Sequence, residues 1–436
     1  MTHRSDRSLH VAALSRVEGE GAMRVRVDGG RVTDVQLEIY EPPRFFEGLL
    51  RGRGHLEAPD ITARVCGICP VAYQMSACQA VEDACGVVVD GPLADLRELL
   101  YCGEWISSHA LHIYLLHAPD FLGYDGVVPM ARDHRSTVER GLALKKAGNA
   151  ILELLGGRAI HPVNVRVGGF YRTPTRPELA PLRETLQRAL DDALATVAWV
   201  AGFDFPDFTH EHELLALVAP GGYPMVRGTP TTDRGLTFPV RAFEEYIGEE
   251  QVPHSTALHA RLAGRGRYLT GPAARYTLSH ERLSPAARQA AAAAGLGPDC
   301  RNPFRSIVVR AVETVHAVDE ALRLLAGYEP PPRPAVPVPP PGRPVTGYGA
   351  TEAPRGVLFH RYTLDAAGTI TAARIVPPTS QNQAAITDDL RRFVTDRLHL
   401  DDHRLTHACE AAIRAYDPCI SCATHFLDLT VERRTP

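Results

Sequence analysis

The sequence predicts an α+β fold that is mainly helical, with small antiparallel β regions near both ends. Three observations predict it. Residues 22–40 alternate apolar and polar positions around a glycine turn, Gly356–Pro377 does the same, and helical periodicity fills most of the interval between them.

In the first stretch Met23, Val25 and Val27 precede Asp28-Gly29-Gly30, and Val32, Val35, Leu37 and Ile39 follow it, which is the pattern of a β-hairpin. Further on, Leu182, Leu186, Leu190, Leu194 and Val197 trace one face of a long amphipathic helix. Ser284-Pro285 supplies a cap and a first-turn proline for an alanine-rich helix that Gly295 stops. Residues 303–326 read as another helix. Proline dominates 329–344, which excludes helix or central strand there. An interdomain linker is one reading. An extended surface crossover is preferred, because the motifs on either side of it must meet. The second hairpin turns at Asp365-Ala366-Ala367-Gly368. The organisation expected is a single domain over 1–436. It comprises a β-hairpin region with carboxylate motifs (15–60), a helical core (61–328), the proline-rich crossover (329–344), a C-terminal β region (345–425) and a tail (426–436).

The chain has 436 residues, enough for a large core in two or three layers. A hydrophobic content of 44% and a charged content of 22% are those of an ordinary globular protein. A net charge of −4, with no basic run, argues against nucleic-acid binding. No apolar stretch is long enough to span a bilayer, and residues 1–7 lack a secretory core, so the expectation is a cytoplasmic protein. Nine cysteines form an odd count dispersed over a large chain, which suits a reducing compartment. Five of them (Cys78, Cys85, Cys102, Cys300, Cys409) lack ligand spacing and read as small buried hydrophobes.

The other four form two Cys-x-x-Cys pairs, Cys66/Cys69 and Cys419/Cys422, at opposite ends of the chain. Four thiolates brought to one point would bind a soft metal. A thioredoxin-type dithiol needs one pair and a βαβ setting. A structural zinc ribbon usually draws its pairs from a few tens of residues. Pairs this far apart tie both ends of a domain together, which favours a deep and catalytic site. Charged residues cluster around them: Arg16-Val17-Glu18-Gly19-Glu20, Arg44 to Arg53, Asp417 and His425. Taken singly, each reads as a solvated side chain or a local ion pair.

With these residues in place, the chain resembles the catalytic large subunit of nickel–iron hydrogenases, from about Ser15 to His425. The paired terminal Cys motifs, with Asp417-Pro418 before the second, carry most of the resemblance. Glu352-Ala353-Pro354-Arg355-Gly356, Ser108-His109-Ala110-Leu111-His112, Gly156-Gly157-Arg158-Ala159-Ile160-His161-Pro162 and Pro378-Thr379-Ser380-Gln381-Asn382 add to it, as does Asn302-Pro303 followed by Arg310 and Glu313.

The resemblance implies that family's fold and a reversible heterolytic cleavage of dihydrogen. Cys66 and Cys419 would bind nickel terminally, while Cys69 and Cys422 would bridge it to an iron carrying cyanide and carbon monoxide. Glu18 would relay the proton from Cys422. Arg355 would place its guanidinium over the open side of the metals, with Asp417 holding it. Glu47, His425 and a backbone carbonyl, assigned to Gln383, would bind a magnesium or second iron. Nickel-insertion factors and a maturation protease would act on the chain.

No further cysteine cluster and no nucleotide-binding glycine fingerprint occurs, so electrons must leave through another polypeptide. The resemblance implies a small subunit carrying iron–sulfur clusters, and flavin-containing diaphorase subunits that pass electrons to NAD(P). Tyr73, Ser108 and Glu20 depart from residues common in the family, and with Pro70 they point to the cytoplasmic NAD(P)-linked branch. Phe426 to Glu432 alternates like a strand, so the tail after His425 is either an unprocessed precursor segment or a retained one. The alternatives are a deazaflavin-reducing hydrogenase, a hydrogen sensor, a scaffold homologue and a structural zinc protein.

Overall fold

The computed structural model describes residues 6–424. Strands β1 (Arg7–Val11), β2 (Gly21–Asp28) and β3 (Arg31–Ile39) form an antiparallel sheet in that order. β2 and β3 are the hairpin expected at 22–40, with Val25 opposite Val35. Their period of two puts Met23, Val25, Val27, Val35, Leu37 and Ile39 on a buried face. β1 is an edge strand that the alternation did not signal.

Four long helices follow: α1 (Pro70–Cys85), α2 (Gly91–Leu111), α3 (Arg135–Gly156) and α4 (Arg176–Ala201). α1 begins on a proline and stops at Gly86, whose φ of 65° closes the C-terminus. α2 runs into a π-helical turn, His112–His117. In α4 a capping box of Thr175 and Glu178 fixes the start. Leu182, Leu186 and Val197 are buried as expected, but Leu190 is half-buried and Leu194 exposed. Successive steps of four drift around a helix of 3.6 residues per turn, so Ala189 and Ala193 complete the buried face instead.

The interval read as helical also carries short strands, among them Glu213–Val218 paired with Thr229–Thr232 and Tyr268–Thr270. The shorter helix Pro285–Ala293 has the expected cap, Ser284 accepting from Ala287 N–H. α5 (Ser306–Ala326) follows a 3₁₀ turn at Pro303–Arg305 and is buried along most of its length. The proline-rich stretch 329–344 lies against residues 168–170, with Phe170 N–H on Pro334 O at 2.8 Å and Val336 N–H on Gly168 O at 2.9 Å.

β4 (Val345–Ala353), β5 (Gly356–Leu364) and β6 (Ile370–Val376) make a second antiparallel sheet, in which β5 and β6 are the expected hairpin. β4 packs on α1 so closely that a Cβ at Gly349 would overlap the Ser76 carbonyl. α6 (Pro378–Thr395) and α7 (Asp402–Ala415) complete the chain before a short turn, Ile420–Ala423. Residues 425–436, including His425 and the alternating tail, lie outside the described residues. α2 packs on α3 and α5, α5 packs on α4, and both Cys pairs belong to this main core. Cys78, Cys102, Cys300 and Cys409 are buried free thiols and Cys85 is half-buried. Burial pushes the Cys300 and Cys409 thiols up to about 12, so they stay protonated and inert.

Candidate metal centre and active site

The first Cys loop ends in the N-terminus of α1, and α2 holds that helix end in place. The buried Glu104 carboxylate on α2 accepts from Val71 N–H at 2.6 Å and Ala72 N–H at 3.1 Å, two first-turn donors with no helical partner. We expect Glu104→Leu to lower the unfolding free energy by about 2–6 kcal/mol, since each of the two buried unsatisfied donors costs about 1–3 kcal/mol. Denaturant unfolding with an unchanged m-value would check this. The second Cys loop is set by Asp417, whose φ of 53° turns the chain sharply, and by Thr379, whose hydroxyl accepts from Cys419 N–H at 3.0 Å.

These supports bring four sulfurs to one point. Cys66 lies 3.5 Å from Cys419, Cys69 3.6 Å from Cys422, and Cys419 2.7 Å from Cys422, sulfur to sulfur. All four ligand atoms fall within 4.8 Å of one another. Ligands about 2.3 Å from one tetrahedral ion sit about 3.8 Å apart, inside that span. All four side chains are buried. Hydrogen bonds from Cys419 first, then Cys422 and Cys69, hold Cys66 well below the ordinary thiol range, whereas burial pushes Cys419 well above it. The metal-free set therefore keeps protons that a bound soft cation would displace. The donor set fits such a cation.

Glu18 stands beside this cluster. Its Oε2 accepts from Cys419 Sγ at 3.1 Å and from Ser421 N–H at 3.0 Å. The sequence reading gave the relay to Cys422, but the carboxylate contacts Cys419, because the Glu18 backbone pairs with the chain at Cys419 and Ile420. Gly19 follows with φ 89°, and a Cβ there would lie 2.6 Å from Ile420 Cβ. Only glycine leaves room for that approach.

Arg355 is buried near enough to Cys419, Cys69 and Cys66 for their sulfurs to act on its charge. Nε donates to Asp417 O at 2.8 Å and Nη2 to Asp417 Oδ1 at 3.0 Å, while the buried Nη1 has no partner. Burial opposes its charge, but Asp417 and the cysteine sulfurs outweigh that and keep the guanidinium protonated. Arg310 backs Asp417 at 3.9 Å. Tyr73, one turn after Cys69 on α1, is buried with its ring 5.7 Å from His360, and the thiols of Cys422, Cys69 and Cys419 add to burial in raising its phenol.

A second polar layer fixes the turn that carries Arg355. The buried Arg275 makes a bidentate pair with Glu313 (both 2.8 Å), reaches Glu352 at 2.9 Å, and donates to the carbonyls of Ala353 and Pro354. Tyr223 Oη donates to Glu313 at 2.7 Å, and the Arg275 guanidinium lies 4.4 Å from the Trp105 ring. Burial raises Glu352 to about 7 despite Arg275. A carboxyl raised in the folded state contributes stability that is full below its unfolded value and lost as pH rises through about 7. We therefore expect Glu352→Gln to flatten the decline of unfolding free energy between pH 4.5 and 7, measured by denaturant titration across that range.

Glu47, on the short helix Phe46–Leu50, is buried and accepts from Ile375 N–H at 2.7 Å. Gln383 is not beside it in the way expected. It lies within α6, where its carbonyl accepts Thr387 Oγ1 at 2.9 Å and points along the helix. The backbone that meets Glu47 is Ile375 in β6, and in a strand the N–H and C=O of one residue face the same edge, so the Ile375 carbonyl is the better donor. The sequence reading missed this residue, along with Glu104 and Arg275. A single acid inside the apolar run of α2 was the one signal for Glu104.

Comparison with known proteins agrees with this geometry. Residues 44–140 match the family model described as nickel-dependent hydrogenase. The chain is 33% identical over 422 residues to sulfhydrogenase 1 subunit alpha of Pyrococcus furiosus, covering 95% of this chain and 97% of that one. It is 27% identical to NAD-reducing hydrogenase HoxS subunit beta of Cupriavidus necator, covering 97% and 95%. The structure of an NAD⁺-reducing [NiFe]-hydrogenase in the H₂-reduced state superposes with a TM-score of 0.87 at 26% identity, over 96% of this chain and 99% of that chain. A buried four-sulfur cluster, a carboxylate on one sulfur and a guanidinium near them thus occur in a chain that matches such proteins almost end to end: it belongs to the nickel-dependent hydrogenase family, as a large subunit with a nickel–iron site.

Proposed function

We propose that the chain activates dihydrogen at a nickel–iron centre that Cys66, Cys69, Cys419 and Cys422 would hold. The observation that carries this reading is the cluster of four buried cysteine sulfurs with Glu18 on Cys419 and the Arg355 guanidinium near by. The bound centre supplies the heterolytic chemistry that takes dihydrogen to two protons and two electrons. Glu18 takes a proton at Oε2 from Cys419 Sγ and passes it outward. Arg355 presents Nη1 as a fixed donor where negative charge develops, and Asp417 keeps that donor in place. Glu47, with the Ile375 carbonyl and His425, would hold a magnesium or second iron that joins the chain ends.

The electrons leave through a partner. Among the described residues the four-sulfur cluster is the one cluster of metal-binding side chains. Gly67 within the first Cys loop is exposed, and the exposed Ile160, Val163 and Tyr171 nearby offer an apolar landing for an iron–sulfur small subunit. Flavin-containing subunits and NAD(P) as acceptor go with this reading, supported by the NAD-reducing relative. So does a cytoplasmic location, since nine cysteines dispersed over a large chain suit a reducing compartment. No described helix is long and apolar enough to cross a membrane.

Nickel and iron quantitation, combined with infrared spectroscopy of the purified protein, tests the proposal. Nickel and iron with cyanide and carbon monoxide bands are expected. Zinc alone, with no such bands, sinks the reading.

A further inference from the structure

The two Cys-x-x-Cys loops are separated by 353 residues and share no covalent link, yet their sulfurs meet within a few ångströms. One side chain bonds to both loops. Arg44 Nη2 donates to Val65 O, the carbonyl preceding Cys66, at 2.7 Å, and to Ser421 O, the carbonyl preceding Cys422. The two bonds leave from a single nitrogen, so they fix the distance between the two loops. The Arg44 backbone adds a third tie, its N–H on Thr424 O at 2.7 Å.

The guanidinium is itself held. It lies 5.5 Å from the Phe46 ring, and its Nε is 3.9 Å from Glu41 Oε1. Glu41 extends the clamp, since its Oε2 accepts from Ser421 Oγ at 3.1 Å and from Glu20 N–H at 3.2 Å. The second loop thus docks through polar bonds to its backbone at Ser421 and Thr424. These bonds set its position independently of what its cysteines bind.

We propose that Arg44 is a positioning residue that holds the two cysteine loops in register, so that the four sulfurs converge on one site. This rests on the four-sulfur reading above and adds the means by which two half-sites become one. A guanidinium is suited to the task because its planar, permanently charged fork donates in fixed directions. Lysine retains the charge and the donors but loses the fork, so Arg44→Lys should keep part of the function. Arg44→Met keeps the stem and loses every donor.

The test uses the full-length chain stripped of metal and titrated with cobalt(II), whose thiolate charge-transfer and ligand-field bands count sulfur ligands without hydrogenase chemistry. Wild type is expected to give a tetrathiolate spectrum. Arg44→Met is expected to bind at least about tenfold more weakly, with fewer sulfurs, and Arg44→Lys to fall between, as when partners that orient ligands are lost. Hydrogen exchange on the same samples should rise at Ser421–Thr424 and stay unchanged in α5. An unchanged spectrum and affinity in Arg44→Met overturns the proposal. So does exchange that rises throughout the molecule, which would make Arg44 a general stability residue. A wild-type chain that itself gives no tetrathiolate spectrum overturns the four-sulfur reading, and the role of Arg44 with it.

Discussion

Glu18→Gln is expected to lower hydrogen turnover by about 10²–10⁴-fold while nickel and iron contents stay at the wild-type level. The substitution is nearly isosteric. The glutamine Oε1 can still accept from Ser421 N–H, so the docking of the second loop survives. What is lost is the capacity to receive a proton from Cys419 Sγ, now 3.1 Å away. Proton–deuterium exchange under deuterium gas should fall with turnover, because both need that transfer. Uptake and exchange at wild-type rates in a metal-replete Glu18→Gln protein would show that the proton leaves by another route.

Arg355→Lys should cost about 10²–10³-fold in turnover, the scale seen when one preorganised donor is removed from a site of developing charge. The arginine divides its labour. Nε and Nη2 are engaged by Asp417, which leaves the buried Nη1 with no hydrogen-bond partner. A lysine has a single nitrogen, which can satisfy Asp417 or face the sulfurs at a useful angle, but not both. Since Arg44, Thr379 and Glu18 also hold the cysteine loops, metal content should be unchanged. Turnover within threefold of wild type, with metals intact, would remove Arg355 from the mechanism.

Much of this was legible before any coordinates. The hairpins at 22–40 and 356–377 and the cap at Ser284 rest on local rules, and local rules survive folding. The Cys motifs were legible from their spacing, whereas Glu18, Glu47, Arg355 and Asp417 were singled out by the family resemblance and not by any local rule. The illegible parts depend on tertiary geometry. β1 and β4 have weak alternation of their own and exist because β2 and β5 provide edges for them. Leu194 turned outward because helical phase, not apolar identity, decides burial. The contact of Glu18 with Cys419 instead of Cys422 follows from a backbone pairing between residues 401 positions apart. Gln383 lies inside a helix, whose carbonyls are directed along its axis, and sequence order alone does not show that. Arg275 carried no sequence signal: its role is to join α5, β4 and the turn at Pro354, three segments distant in the chain.

The polar docking of Ser421 and Thr424 also dictates an order of assembly. During synthesis Cys66 is delivered 353 residues before Cys419. The helical core and the N-terminal sheet can therefore gain most of their buried surface while the site is still half-built, holding two thiols behind an open wall. Contacts of such sequence separation form late, because their loop closure must be met before they contribute any stability. The metal centre is thus the last part of the molecule to come into being, and its closure marks the end of folding. Throughout that interval Glu18, Glu41 and Arg44 stand ready on one side of the gap, as a template on which the closing segment is shaped.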